Sequence, residues 1–148
     1  MYTESIKYDL GSGAEAFSAR REGHPVRKDH QRDQDKQIIC QEYNALRITD
    51  FEGRAALLDK LLPHKGSGLT IVPPFFCDYG SNLEFGDNVF INGYCVFLNE
   101  AKITIGSGSV IAGGSVVVKD IPPGVLAAGN PCRVIRPLSP DDRDRDVR

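Results

Sequence analysis

Apolar residues recur at every sixth position through the middle of the chain. Phe85, Ile91 and Phe97 form one series, and Ile105, Ile111 and Val117 form the next. The two segments, LEFGDNVFINGYCVF and ITIGSGSVIAGGSVV, share a frame in which an apolar residue is followed by Gly and then by small or polar residues. A period of six fits neither the 3.6-residue face of a helix nor the two-residue alternation of a half-buried strand. It fits a solenoid whose short strands turn a corner between inward-pointing residues and whose coils stack on one another.

Helical patterning precedes this region. Order is expected from about Gln34, and the run DKQIICQEYNAL places Ile39, Tyr43 and Leu46 on one face of a short helix. A second helix is signalled by Thr49-x-x-Glu52, which has the form of a capping box, with Asp50 also able to cap. Phe51, Ala55, Leu58 and Leu62 then make an apolar stripe, and Pro63 ends it. The solenoid is expected to begin near Leu69, with Pro73 and Pro74 at a corner, where missing N–H donors do no harm.

Phe85 and Ile105 are 20 residues apart, which reads as one coil of 18 plus a bulge at 99–102. The segment 119–124 is a turn-rich exit, and VLAAGNPCRVIR a last strand and coil. These readings divide the chain into a charged arm (1–36), a helical segment (37–68), a β-helical domain (69–137) and a charged tail (138–148). The arm mixes both signs of charge densely and reads as either a solvated helix face or a disordered segment, and the tail is expected to fray. About 60 residues between Leu69 and Ala128 make about three coils, near the minimum for a continuous core.

Composition narrows the function classes. Of 148 residues, 41% are hydrophobic, but no apolar run approaches the ~18 residues of a membrane span. The first residues lack the apolar core of a signal peptide, so a soluble, cytoplasmic protein is expected. A net charge of −2 offers no basic field for nucleic acid. Four cysteines form no C-x-x-C pair, and the three histidines complete no zinc site, so no metal is expected. Cys77 and Cys95, 18 residues apart, are expected to stack on neighbouring coils as reduced thiols.

Three stretches carry a family resemblance. Pro73-Pro74-Phe75-Phe76-Cys77-Asp78-Tyr79-Gly80, Lys119-Asp120-Ile121-Pro122-Pro123 and Gly129-Asn130-Pro131-Cys132-Arg133-Val134-Ile135-Arg136 occur in the order seen in the maltose, galactoside and nodulation branch of hexapeptide-repeat acetyltransferases. The resemblance covers residues 37–137. It implies a mainly β fold, a left-handed parallel β-helix of about three coils with an N-terminal helical segment. It also implies assembly as a homotrimer, with acetyl-CoA as co-substrate and a hydroxyl of a sugar or similar small acceptor receiving the acetyl group. In the family a His acts as general base on that hydroxyl, because an alcohol is a weak nucleophile near neutral pH.

Carried over position by position, Asn92 and Asp78 match acceptor contacts. Lys119, Arg133 and Arg136 match positions near the phosphates and adenine ribose of CoA, where cations suit a polyanion. Gly113 matches a small residue lining the pantetheine groove. Asp9 resembles an N-terminal acceptor contact, and Val118 stands where the family usually has Thr. Each polar residue also has a plain structural reading: Asn92-Gly93 is turn-like, and the cations suit a solvated surface.

The departure from the pattern lies in the centre. Ile103-Thr104-Ile105-Gly106 runs directly into Ser107-Gly108-Ser109, without the family's intervening coils and their T-x-x-H-P motif. The catalytic residue is therefore unknown. His24, in a His-Pro dipeptide, lies in the charged arm; His64 is placed at a helix end, where its cation would favour the carbonyls; His30 reads as a surface residue. Two functions follow: an O-acetyltransferase lacking the family's usual base, or a catalytically inactive trimeric scaffold or acyl-CoA-binding module.

Overall fold

The computed structural model describes residues 30–144. The readings on residues 1–29, His24 and Asp9 included, lie outside the described residues. Among the described residues two helices come first, α1 (His30–Ala45) and α2 (Phe51–Leu61), so helix is already present four residues before Gln34. Nine short strands then wind into three coils: β1 (His64–Lys65), β2 (Thr70–Ile71) and β3 (Phe75–Cys77); β4 (Leu83–Phe85), β5 (Phe90–Ile91) and β6 (Cys95–Phe97); β7 (Ile103–Ile105), β8 (Val110–Ile111) and β9 (Val116–Val117). Strands of successive coils pair in parallel as β1-β4-β7, β2-β5-β8 and β3-β6-β9, giving three walls. The winding begins at His64, earlier than Leu69, because the residues after Pro63 pair with β4 rather than forming a free helix exit.

The six-residue series is the core. Phe85 stacks under Ile105, Ile91 under Ile111 and Phe97 under Val117, and all six are buried. Phe97 meets Phe75 and Phe85 edge-on, with ring centroids 5.5 and 6.0 Å away. The corner between the first and second walls begins with glycine for a steric reason. A Cβ on Gly106 would lie 2.2 Å from the backbone nitrogen of Pro123 in the next layer, which cannot yield.

The coil is longer than expected. Partner residues in the first three layers are offset by 20, as in Phe75 with Cys95 and Cys77 with Phe97. Cys77 therefore does not stack on Cys95, which corrects the 18-residue spacing argument. The extra residues form extended corners at 78–82 and 98–102, where Gly80–Asn82 makes a 3-10 turn. Asn99, fully buried, holds this corner. Its side-chain oxygen accepts the N–H groups of Asp78 and Tyr79 at 3.0 and 3.2 Å, and its amide donates to the Tyr79 carbonyl. Above the third coil the offset shortens to 16, as in Ile105 with Ile121 and Val110 with Leu126.

The last strands correct another expectation. β10 (Val125–Gly129) continues the second wall in parallel, but β11 (Cys132–Pro137) returns antiparallel to it as a hairpin and makes no further coil. Inward Ser115 and Ser109 tie this end down: Ser115 Oγ accepts the Gly129 N–H at 3.2 Å, and Ser109 Oγ donates to the Pro122 carbonyl at 2.7 Å. A short helix, α3 (Asp141–Asp144), follows.

At the opposite end, the first coil would leave strand carbonyls and amides unpaired, which is costly where water is excluded. α1 supplies the partners. Asn44 accepts the Phe75 N–H at 2.9 Å and donates to the Phe75 carbonyl at 2.8 Å. The Tyr43 hydroxyl donates to the Ile71 carbonyl, and Arg54 of α2 donates to Tyr43 Oη at 3.0 Å. Asp50, rather than Thr49, caps α2 by accepting the Gly53 N–H at 2.9 Å. Phe51 of the expected stripe is 72% exposed, and the buried face is Leu58 and Leu61 with Leu62 at the helix end. Arg54, on the same helix, reaches the Tyr43 hydroxyl and the Ile71 carbonyl.

Candidate functional site

Asn92 and Gly113 are brought together. Both sit at the corner between the second and third walls, on successive coils, where Gly114 donates its N–H to the Gly93 carbonyl at 2.9 Å. A Cβ on Gly113 would lie 3.1 Å from Gly93 O and 3.7 Å from Asn92 Cγ. Gly113 is exposed, so its missing side chain leaves the backbone of this corner open to solvent beside the Asn92 amide. The Asn92 side-chain oxygen accepts the Gly93 N–H at 2.8 Å, which leaves its amide nitrogen directed away from that bond.

Asp78 lies at the other edge of the third wall. Its Oδ2 accepts the Asn99 N–H at 3.1 Å. Between the two corners runs the outward row of that wall, Phe76, Val96 and Val116, with Phe76 48% exposed and the two valines half-buried. Leu98 and Val118 are exposed beside the Asp78 corner, and Lys119 follows them there. In one chain, then, the two candidate acceptor contacts are separated by the width of a wall.

The arginines lie elsewhere. Arg133 and Arg136 are on β11, paired with Ala128 and Leu126 at the end of the second wall. Arg133 donates to the neighbouring Cys132 carbonyl at 3.0 Å and stays exposed. Arg136 is engaged: both guanidinium nitrogens donate to the Asp142 carboxylate at 2.8 Å. Asp142 also accepts the Ser139 N–H at 2.7 Å, and its carboxyl is held well below the usual range, chiefly by the Arg136 hydrogen bonds. A two-oxygen fork on Arg is the geometry a phosphate group also takes. His64 lies on the first wall, exposed, in register with Glu84 and away from the Asn92 corner. Sequence reasoning missed Asn99, whose buried amide carries no apolar mark; its one signal was the two-residue excess between Phe85 and Ile105.

Three-walled parallel winding with an inward residue every sixth position defines a hexapeptide-repeat β-helix protein. No protein-family model matches the chain. A Saccharomyces cerevisiae protein named as an acetyltransferase, YJL218W, is 31% identical over 159 residues, covering 71% of this chain and 81% of its own length. The galactoside O-acetyltransferase of Escherichia coli is 49% identical over 67 residues, covering 45% of this chain and 31% of that enzyme. Among solved structures, a hexapeptide-repeat acetyltransferase of Vibrio cholerae complexed with acetyl coenzyme A superposes with a TM-score of 0.54 at 24% identity, covering 78% of this chain and 91% of that one. The chain belongs to the acetyltransferases and has the fold of a hexapeptide-repeat member. The alignment with the yeast relative is longer than this chain yet takes in only 71% of it, so the relative carries residues between matched stretches that have no counterpart here.

Proposed function

We propose that this protein is an acetyl-CoA-dependent O-acetyltransferase that acylates a hydroxyl of a small, sugar-like acceptor at a site completed between subunits of a homotrimer. The observation that carries this reading is the Asn92–Gly113 corner, where an absent side chain exposes backbone beside a polar amide. The Vibrio relative's complex supports acetyl-CoA as the donor, and the galactoside enzyme's local match supports a sugar-like acceptor. Gly113 lines the pantetheine path, Asn92 and Asp78 contact the acceptor, and Lys119, Arg133 and Arg136 face the phosphates and adenosine. The placement of Asn92 and Asp78 at opposite edges of the third wall supports sharing of the acceptor site between subunits. The acceptor oxygen attacks the thioester carbonyl, the new C–O bond forms, the C–S bond breaks and the hydroxyl proton must pass to a base.

A specific observation favours a second reading, an acyl-CoA-binding trimer without turnover. The imidazole of His64 lies on the first wall, away from the Asn92 corner, and the T-x-x-H-P motif has no counterpart in the sequence. Release of CoA thiol from acetyl-CoA in the presence of maltose or a galactoside, measured against an acceptor-free blank, separates the two. Acceptor-dependent release supports the transferase. Calorimetric acetyl-CoA binding without release supports the binding module, and neither signal rejects both. Light scattering reads the trimer.

A further inference from the structure

Two of the four cysteines meet where the helical cap joins the solenoid. Cys40 is on α1 and Cys77 ends β3. Residues 75 and 77 share a face of β3, and Phe75 is inward, so Cys77 also points to the interior at the open end of the first coil, under α1. The Cys40 thiol donates to the Phe75 carbonyl at 2.9 Å, two residues from the Cys77 thiol on the same strand face. Both line one pocket of about 210 Å³ with Gln37, Gln41 and Phe76. Gln37, Gln41 and Phe76 are exposed, so the pocket opens to solvent.

The remaining thiols differ. Cys40 is also buried, at 4% exposed, but borders that pocket beside the half-buried Cys77; Cys95 and Cys132 are inside the prism, 0% and 1% exposed, and burial pushes both thiols up, away from the reactive thiolate. In the α1 pair, the neighbouring Cys77 thiol favours loss of the Cys40 proton and holds Cys40 below its ordinary range. Cys77 is held far above it by Cys40 and by burial. One sulfur is thus disposed to attack and the other remains a thiol beside it.

We infer that Cys40 and Cys77 are a redox modification site, converted by a hydroperoxide into an intramolecular disulfide that fastens α1 to the first coil. The step balances in two stages. The Cys40 sulfur attacks the peroxide, the O–O bond breaks, and Cys40 becomes a sulfenic acid with release of water (or the alcohol from an organic peroxide). Cys77 then attacks the sulfenic sulfur, the S–O bond breaks, and a second water leaves as the disulfide forms. The peroxide is reduced and the two thiols are oxidised by two electrons.

The bond ties a helix to a strand that its side chains already hold through Asn44 and Tyr43. It therefore closes a loop of chain without relocating either end, the condition under which a cross-link restricts the unfolded state more than it strains the folded one.

The test is hydrogen peroxide treatment of the full chain, followed by non-reducing peptide mass mapping and thermal unfolding. Expected are a Cys40–Cys77 linked peptide lacking two hydrogens, free Cys95 and Cys132, and a midpoint raised by about 5 °C or more that dithiothreitol reverses. In Cys40→Ala no linked peptide forms and the midpoint does not rise. In Cys77→Ser the Cys40 peptide gains oxygen instead, because no resolving thiol remains. Four unmodified thiols after treatment, a Cys40 peptide that gains oxygen in the natural chain without linking, or linkage between two chains would each overturn the inference.

Discussion

Asn99 and Asp78 hold each other across two coils: the Asn99 N–H donates to the Asp78 carboxylate at 3.1 Å, while the Asn99 side-chain oxygen accepts the Asp78 N–H at 3.0 Å. This reciprocal pair fixes the extended corner that lengthens each coil to 20 residues, and it sets the orientation of a carboxylate proposed to meet the acceptor.

Asn99→Ala removes these side-chain bonds to the Asp78 and Tyr79 N–H groups and leaves the Asp78 N–H with only its longer bond to the Phe97 carbonyl, at 3.3 Å. The expected cost is about 2 kcal/mol, more than one exposed hydrogen bond because one buried amide supplies three bonds at this corner. The urea midpoint measures it. A loss below about 0.5 kcal/mol would mean that water satisfies the corner as well as the amide does.

Phe97 is fully buried at the junction of Phe75 below it and Phe85 beside it. Phe97→Ala should destabilise by roughly 3–5 kcal/mol, because a stacked coil cannot collapse into the void without breaking register with Val117. Phe97→Leu should cost less than half as much. Similar midpoints for the two variants would contradict this packing.

Burial pushes the Tyr43 phenol above its ordinary value, with Arg54 opposing that shift. The folded state therefore keeps its proton at a pH where the unfolded chain, titrating near about 10, has lost it. Folded protein binds more protons there, so stability is full below about pH 10 and falls as pH rises through that region. Urea midpoints measured across this range should decline more steeply for the natural chain than for Tyr43→Phe. Parallel slopes would show that the phenol is not linked to folding.

Arg136 is held by Asp142, and a phosphate can take that fork only by displacing the carboxylate. Asp142→Asn should tighten CoA binding a few-fold, while Arg136→Ala, Arg133→Ala and Lys119→Ala should each weaken it by roughly tenfold. Calorimetry at fixed salt reads all four. The depressed carboxyl of Asp142 keeps the pair intact as pH falls through the ordinary carboxylate range near about 4, and the pair is lost only as pH falls further. The Arg136 side-chain NMR signals should therefore stay unchanged through that range. CoA affinities unaffected by the arginine and lysine changes would remove these residues from the proposed site.

The inward residues alone determined the winding. Phe85, Ile91, Phe97, Ile105, Ile111 and Val117 mark three walls because a core must be apolar wherever it is dry, and that requirement is written residue by residue. Tertiary structure decided what no local pattern records. Asn99 set the coil length through hydrogen bonds between layers, so an argument from hexads alone misplaced Cys77 against Cys95. Docking of α1 onto the first coil brought Cys40 to Cys77, and packing of α2 buried Leu58 and Leu61 rather than Phe51, since each depends on a surface supplied by a distant segment. The hairpin of β10 and β11 ended the winding for the same reason: pairing direction is chosen by the partner strand, and Cys132-Arg133-Val134 reads alike in either.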